Sequence, residues 1–274
     1  DRYSIDEIQY EDNRSIIIGA WVAPPPQNAL GGNPDFINND TYKDIAESGI
    51  NMIYGLYEGA DANGLRALDA AHANNIKYLL YDRSLRAVHE EDFDLLENFI
   101  KSYKDHPAFA GNLAYDEPGG AQFDRLGALH REYRKLLPDK MFYVNLFPTY
   151  SSVAQRDGLT YKEYVDFYIE KVKPEFVSFD YYPLMSHAVE GNYIKEDFLH
   201  NIEIIATASK NAGIPFWSFI QAMSFTTAGM TNREVDEADI RWQVYANLAF
   251  GAQGIQYFCY WTPSEDGIAQ FGDA

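Results

Sequence analysis

The chain is poor in cysteine and in positive charge, and both shortages narrow what it can be. A single cysteine, Cys259, stands among 274 residues, so no disulfide can form within the chain. The six histidines are scattered, without CxxC or paired-histidine spacing, so no structural zinc site is expected. Lys and Arg total 22 against 41 Asp and Glu, a formal net charge of -19. Nucleic acid and anionic membranes are recognised through clustered basic side chains, so neither is an expected partner. No apolar run reaches the roughly 18 residues of a membrane span, so no membrane insertion is expected. The opening "DRYSIDEIQYEDNR" has no apolar signal-peptide core. It fits a mature or trimmed N-terminus equally well, and a secreted or periplasmic location is the expectation. A G-x-G-x-x-G turn is also missing after the first apolar run, which removes the main mark of a dinucleotide-binding sheet. No cofactor is expected, and the oligomeric state is left open.

What the chain does have is apolar and aromatic material. Hydrophobic residues make up 46%, with 21 Tyr, 17 Phe and 4 Trp. They can fill a large core, or stack on the C–H faces of sugar rings, where Tyr adds a polar handle. Eight short β-rich runs alternate with amphipathic stretches. They are IIIGAWV (16–22), NMIYGLYEG (51–59), IKYLLYD (76–82), FAGNLAYDEP (109–118), MFYVNLFP (141–148), EFVSFDYYPL (175–184), IPFWSFIQAM (214–223) and GIQYFCYW (254–261). Seven helical stretches separate them. In the third, EEDFDLLENFIKSYKDH, Phe93, Leu96, Phe99, Ile100 and Tyr103 recur at three- and four-residue spacing. Polar residues near the run ends recur every 35 to 41 residues: Asp82 to Glu117, Asn145 to Asp180, Asp180 to Gln221, and Gln221 to Trp261. This predicts an α/β fold, a single (β/α)8 TIM barrel over 15–274 after an N-terminal extension at 1–14. An open doubly wound sheet is the alternative. Only TPSEDGIAQFGDA follows the eighth run, so the eighth helix is expected to be missing or truncated, or the native chain to continue.

Such a barrel carries its active site at the C-terminal strand ends. Read in order, those ends offer Trp21, Glu58, Asp82, Asp116 with Glu117, Asn145, Asp180 with Tyr181 and Tyr182, Gln221, and Tyr260 with Trp261. Glu117 precedes Pro118, which favours extended backbone and a carboxyl held at the strand end; a first-turn charge on the next helix is the other reading. Strand alternation implies that one of Asp116 and Glu117 points partly into the barrel wall. Asp180 reads as catalytic or as a loop tie. Asp82, in YDRS, reads as an ion pair with Arg83 or a neighbouring strand end. Glu58 is open between function and structure. Asn145 and Gln221 suit hydrogen bonds to hydroxyls, or buried ties between strand ends. Tyr181 and Trp261 read as sugar platforms, and Trp217, mid-run, as core.

AFAGNLAYDEPG resembles the fourth-strand signature of barrel glycoside hydrolases in the cellulase and β-galactosidase superfamily. Runs six to eight look like those of uncharacterised bacterial relatives, and the layout matches over nearly the whole chain. The resemblance implies a hydrolase of glycosidic bonds acting on carbohydrate, as in polysaccharide degradation, with Glu117 as acid/base. Two departures matter. Asp116 stands where the family often has Asn. Gln221 stands where retaining members have a nucleophilic glutamate, and an amide cannot form the glycosyl ester. Asp180 is the first choice for the second carboxylate, with Glu58 and Glu265 behind it. Substrate assistance is another route: in chitinase-like and hexosaminidase-like barrels an Asp beside the acid orients an acetamido group, and Asp116–Glu117 with Tyr181 and Trp261 look similar. A non-catalytic carbohydrate-binding barrel is the rival that Gln221 suggests. A metal-dependent hydrolase or an aldolase would call for clustered His or a strand-end Lys. Cleavage needs a protonated carboxyl for the leaving oxygen and a second group for the oxocarbenium-like carbon; a nearby Asp116 anion would favour protonated Glu117. Asn13 in NRS and Asn39 in NDT match glycosylation triplets.

Overall fold

Runs that are apolar almost throughout suit strands covered on both faces, the situation of a parallel sheet wrapped by helices. The computed structural model describes residues 16–29, 32–189, 191–227 and 230–261. In chain order the elements are β1 (Ile17–Ala20), α1 (Asn39–Glu47), β2 (Met52–Tyr54), α2 (Ala62–Ala73), β3 (Lys77–Leu80), α3 (Arg83–Ala87), α4 (Leu96–Ile100), β4 (Phe109–Asp116), α5 (Phe123–Leu136), β5 (Met141–Leu146), α6 (Tyr161–Val172), β6 (Val177–Phe179), β7 (Leu184–His187), β8 (Gly191–Ile194), α7 (Phe198–Ala212), β9 (Phe216–Gln221), β10 (Phe225–Thr227), β11 (Met230–Asn232), α8 (Glu237–Ala249) and β12 (Gly254–Phe258). Strands β1 to β6, β9 and β12 form a closed barrel, with β1 parallel to both β2 and β12. The chain is a (β/α)8 barrel.

Polar side chains set the helix starts. Asn38, Asp61 and Asp82 accept backbone N–H groups at the heads of α1, α2 and α3, while Thr160–Glu163 and Asp236–Asp239 form reciprocal boxes before α6 and α8. Most of the aromatic wealth goes into the core. Tyr54, Tyr78, Tyr143 and Tyr164 are fully buried, and Phe176 stacks on Trp217 at 4.0 Å, so Trp217 is core. The barrel interior also holds a polar knot. Tyr143 donates to Gln256 (2.7 Å), Gln256 Nε2 donates to Ser178 (3.0 Å), and Tyr54 donates to Gln256 as well.

Three features differ from the sequence expectation. The third connection is not one long helix. Asp82 starts α3 directly at the strand end, an extended Val88 stops it, and a 3-10 segment, Glu90–Leu95, leads into the short α4. The second run ends as a strand at Tyr54, because the chain turns at Gly55, where a Cβ would collide with the Glu58 carboxyl and the Tyr78 hydroxyl. Two hairpins, β7–β8 and β10–β11, pair into a four-stranded antiparallel sheet in the order β10-β11-β7-β8. They occupy the connections after β6 and β9, which places them over the C-terminal mouth. The proposed 1–14 extension, the segment after the eighth run, Glu265 and Asn13 lie outside the described residues. Among the described residues no helix follows β12 and none is long and apolar enough to cross a membrane.

Candidate active site

The end of β4 brings two acids to one place. Asp116 is the last residue of the strand and sits beside Asn145 of β5 in the ladder, just past a register shift between Leu113 and Tyr115. A shift of that kind bends a strand and re-aims the side chains beyond it. Glu117 keeps one more ladder bond, N–H to the Asn145 carbonyl at 2.8 Å. Its backbone then turns left-handed, φ 50°. The extended geometry expected before Pro118 is therefore not adopted. A left-handed non-glycine residue costs about 1–2 kcal/mol, and the surroundings hold it: Tyr164 donates to the Pro118 carbonyl at 2.7 Å. The kink also cancels strand alternation, so Asp116 and Glu117 both line one cavity of about 430 Å³.

From β6 comes Asp180, one residue past the strand, buried at the same cavity. Asn145 joins the acids: its Nδ2 donates to Asp180 Oδ1 at 2.7 Å and to Asp116 Oδ1 at 3.3 Å. Its Oδ1 accepts from Ser178 Oγ at 3.1 Å. Trp21 forms one wall, packed on Tyr54 (5.2 Å) and edge-on to Phe219 (5.5 Å). Tyr182, Phe225 and Phe258 form another, with Tyr182 4.9 Å from Phe258 and 5.3 Å from Phe225. Lys195 also faces the cavity, its Nζ 3.4 Å above the Tyr150 ring, a cation–π contact.

Burial dominates the electrostatics. It raises Glu117 to about 7, with the Asp116 charge adding to the rise. It raises Asp116 to about 6, against the Asn145 N–H and the Arg86 cation; Asp116 keeps surface open to the cavity while protein crowds the rest of its carboxyl. Asp180 is driven up by burial and then by the Glu117 and Asp116 charges, opposed by Asn145 and by a backbone N–H. Lys195 is lowered to about 8 by burial, with Asp197 and Asp180 pulling the other way. Three carboxyls that resist ionisation, one amide and one cation around an aromatic-walled cavity can donate and accept protons near neutral pH.

The other sequence candidates stand elsewhere. Glu58 is buried away from the cavity, accepting from Tyr78 and from the Tyr57 N–H (3.1 Å), and burial raises it to about 7. Asp82 caps α3 through the Ser84 N–H (2.8 Å) and accepts from Tyr103 (2.7 Å); no ion pair with Arg83 forms among the described residues. Tyr181 donates to Asp197 and meets Tyr150 edge-on at 5.0 Å. Gln221 is fully buried: its Oε1 accepts from Leu184 N–H and Asn232, and its Nε2 donates to the Leu184, Met223 and Arg233 carbonyls. It ties the extra sheet to the barrel. Tyr260 and Trp261 are buried off the cavity, Trp261 packing on Phe36 at 4.2 Å. Sequence reasoning missed Tyr150, Lys195 and Phe225. They lie in connections, where no periodicity points; the unusual length of 147–160 and 180–197 at the functional face was the available signal.

A larger depression of about 510 Å³ lies between α7 and the start of β9. Its charged members are Glu203 and Lys210, and none of the strand-end acids lines it. Among the described residues no group of His, Cys, Asp and Glu could hold a metal ion.

No protein-family model matches the chain, and no curated protein matches it. Solved structures do. A putative alpha-L-fucosidase from Bacteroides thetaiotaomicron is similar over 89% of this chain and 88% of that one, with TM-score 0.61 and 14% identity. The GH99 endo-alpha-mannosidase from the same bacterium, in complex with bis-tris-propane, aligns over 89% and 83% with TM-score 0.59 and 12% identity. The chain shares their fold. A family 1 β-glucosidase from Thermotoga maritima is also similar, over 90% and 88%, with TM-score 0.51 and 10% identity. At such identities the likeness is one of architecture.

Proposed function

We propose that this barrel is a glycoside hydrolase that cleaves a glycosidic bond in a neutral oligo- or polysaccharide by carboxylate acid/base catalysis. The observation that carries this reading is the meeting of Glu117 and Asp180, from different strands, in one aromatic-walled cavity at the C-terminal mouth. Glu117 gives a proton to the leaving oxygen. Burial and the Asp116 charge keep it protonated up to about pH 7, as a general acid requires. Asp180, with an N–H donor and the Lys195 cation nearby, meets the oxocarbenium-like carbon. Trp21 and Tyr182 offer faces and edges for a sugar ring. Three structural neighbours named as a fucosidase, a mannosidase and a β-glucosidase support the class.

Asp116 favours a second reading. Standing beside Glu117 on the same cavity, it is placed to orient a 2-acetamido group, as substrate-assisted N-acetylhexosaminidase-like hydrolysis would need. Turnover of 2-acetamido glycosides but not of their 2-hydroxy counterparts would select that route.

The test is a panel of aryl glycosides and oligosaccharides with wild type, Glu117→Gln and Asp180→Asn. Glu117→Gln is expected to lose nearly all turnover while keeping sugar binding and folding. Unchanged turnover ends the assignment. Sugar affinity without product in the wild type identifies the non-catalytic carbohydrate-binding barrel instead.

A further inference from the structure

Asn145 read from sequence either as a hydrogen-bonding group for sugar hydroxyls or as a buried tie between strand ends, and its polar atoms are engaged within the protein. It is almost fully buried. One N–H goes to Asp180, the other to Asp116, and its carbonyl faces the Ser178 hydroxyl. We infer that Asn145 is a positioning residue: by donating to Asp180 and Asp116 together it holds both as acceptors and leaves the cavity's proton on Glu117. This deepens the glycosidase reading and rests on it.

In this orientation the NH2 meets both aspartates and the carbonyl meets the Ser178 hydroxyl; reversed, the amide would give up both donations to the acids. Ser178 Oγ also accepts from Gln256 Nε2 at 3.0 Å. Gln256 is oriented in turn by Tyr54 and Tyr143, which donate to its Oε1. A hydrogen-bonded network, with the Tyr143 and Ser178 hydroxyls 2.6 Å apart, thus runs from the barrel interior through Ser178 to Asn145 and ends on the two aspartates. Networks of this kind polarise and fix their members.

The other charged and titratable groups around the acids bear on the same choice. Lys195, Asp197, Tyr150, Tyr161 and Tyr182 interact electrostatically with Asp180 or its immediate partners; Arg86 acts on Asp116, and Tyr150, Tyr164 and Tyr182 lie within reach of Glu117. Burial pushes Asp180, like Glu117, toward its neutral form. What opposes it is the Asn145 N–H, a backbone N–H and the Lys195 cation, whereas among the described residues no donor reaches the Glu117 carboxyl. Without Asn145 the proton of the pair moves to Asp180 and leaves Glu117 ionised, which is the wrong arrangement for cleavage.

The experiment combines the pH dependence of kcat/KM on a turned-over glycoside with 13C-carboxyl NMR titration, for wild type, Asn145→Ala and Ser178→Ala. Asp180→Asn and Glu117→Gln assign the resonances. Asn145→Ala removes a hydrogen bond to a charged group, so the acidic limb, set by ionised Asp180, is expected to rise by about one unit or more. The basic limb, set by protonated Glu117, falls, so the bell narrows; kcat drops while KM holds. Ser178→Ala, which leaves Asn145 in place but frees its carbonyl, moves both limbs the same way by less, and carries the test if Asn145→Ala does not fold. Limbs that stay fixed while the rate falls uniformly, or a raised KM at constant kcat, overturn the inference. Absence of turnover in wild type would end the glycosidase reading alone. The titration then decides separately: Asp180 must titrate below Glu117 in wild type and above it in Asn145→Ala, and Asp180 above Glu117 in wild type overturns the inference.

Discussion

Replacing Asp116 with asparagine separates its charge from its shape. The amide keeps an oxygen for the Asn145 N–H at 3.3 Å but carries no negative charge. Glu117 stands raised from 4.5 to about 7, burial first and the Asp116 charge second. The charge therefore accounts for less than half of that rise, so Asp116→Asn is expected to lower Glu117 by roughly one unit, about 1.4 kcal/mol. A general acid works in its protonated form, so the basic limb of the pH–rate profile slides to lower pH by that amount. Asp180 is raised by the same charge, so the acidic limb moves down too. The whole bell shifts acidward. Asp116 itself titrates at about 6, so its charge acts most fully above that pH, and the variant falls furthest behind near pH 8, by up to roughly tenfold. The assay is kcat/KM from pH 4 to 9 on one turned-over glycoside. A basic limb that stays in place, or moves up, refutes the electrostatic coupling of these two neighbours and with it the account of why Glu117 is protonated.

Glu117→Gln should also stabilise the fold in alkaline buffer. A carboxyl whose folded pKa is raised from 4.5 to about 7 helps the folded state least once pH exceeds 7, and the full penalty is on the order of 3 kcal/mol; thermal denaturation should show the gain at pH 8 and little difference at pH 4. Glu58, buried off the cavity and also raised to about 7, gives the matching control. Glu58→Gln is expected to raise stability at pH 8 by up to about 3 kcal/mol while leaving both limbs of the rate profile in place, and a shifted limb would put Glu58 back in the reaction. Gln221→Glu tests the reading of Gln221 as a tie. It would set a carboxylate against the Leu184, Met223 and Arg233 carbonyls now served by Nε2, so a loss of about 3 kcal/mol or more in denaturant unfolding is expected, with no gain in turnover. Increased turnover would show that the position reaches the substrate.

The barrel was legible because its strands obey a simple rule. Each is covered on both faces, so each reads as a largely apolar run, and an amphipathic helix must follow to cover it. Strand ends are likewise marked, which put Asp116, Glu117, Asn145 and Asp180 among the rim candidates; β4, β5 and β6, which carry them, are adjacent around the barrel. The rule fails one or two residues beyond each strand. At Gly55 the chain turns and lays the Glu58 carboxyl over its own backbone, and after β3 the Asp82 side chain is taken by a helix cap. At Glu117 the turn runs the other way and carries the side chain into the cavity.

By itself, the order of residues determined how many barrel strands form, what covers them and which polar residues stand at their ends, because burial on both faces and helical amphipathicity leave a period that can be read along a line. Only the tertiary structure decided which of those polar ends share a cavity, that Gln221 serves a second sheet, and that Lys195 and Tyr150 arrive from distant loops. Those outcomes depend on left-handed turns, caps and hairpin pairing between segments far apart in the chain, and such contacts have no period.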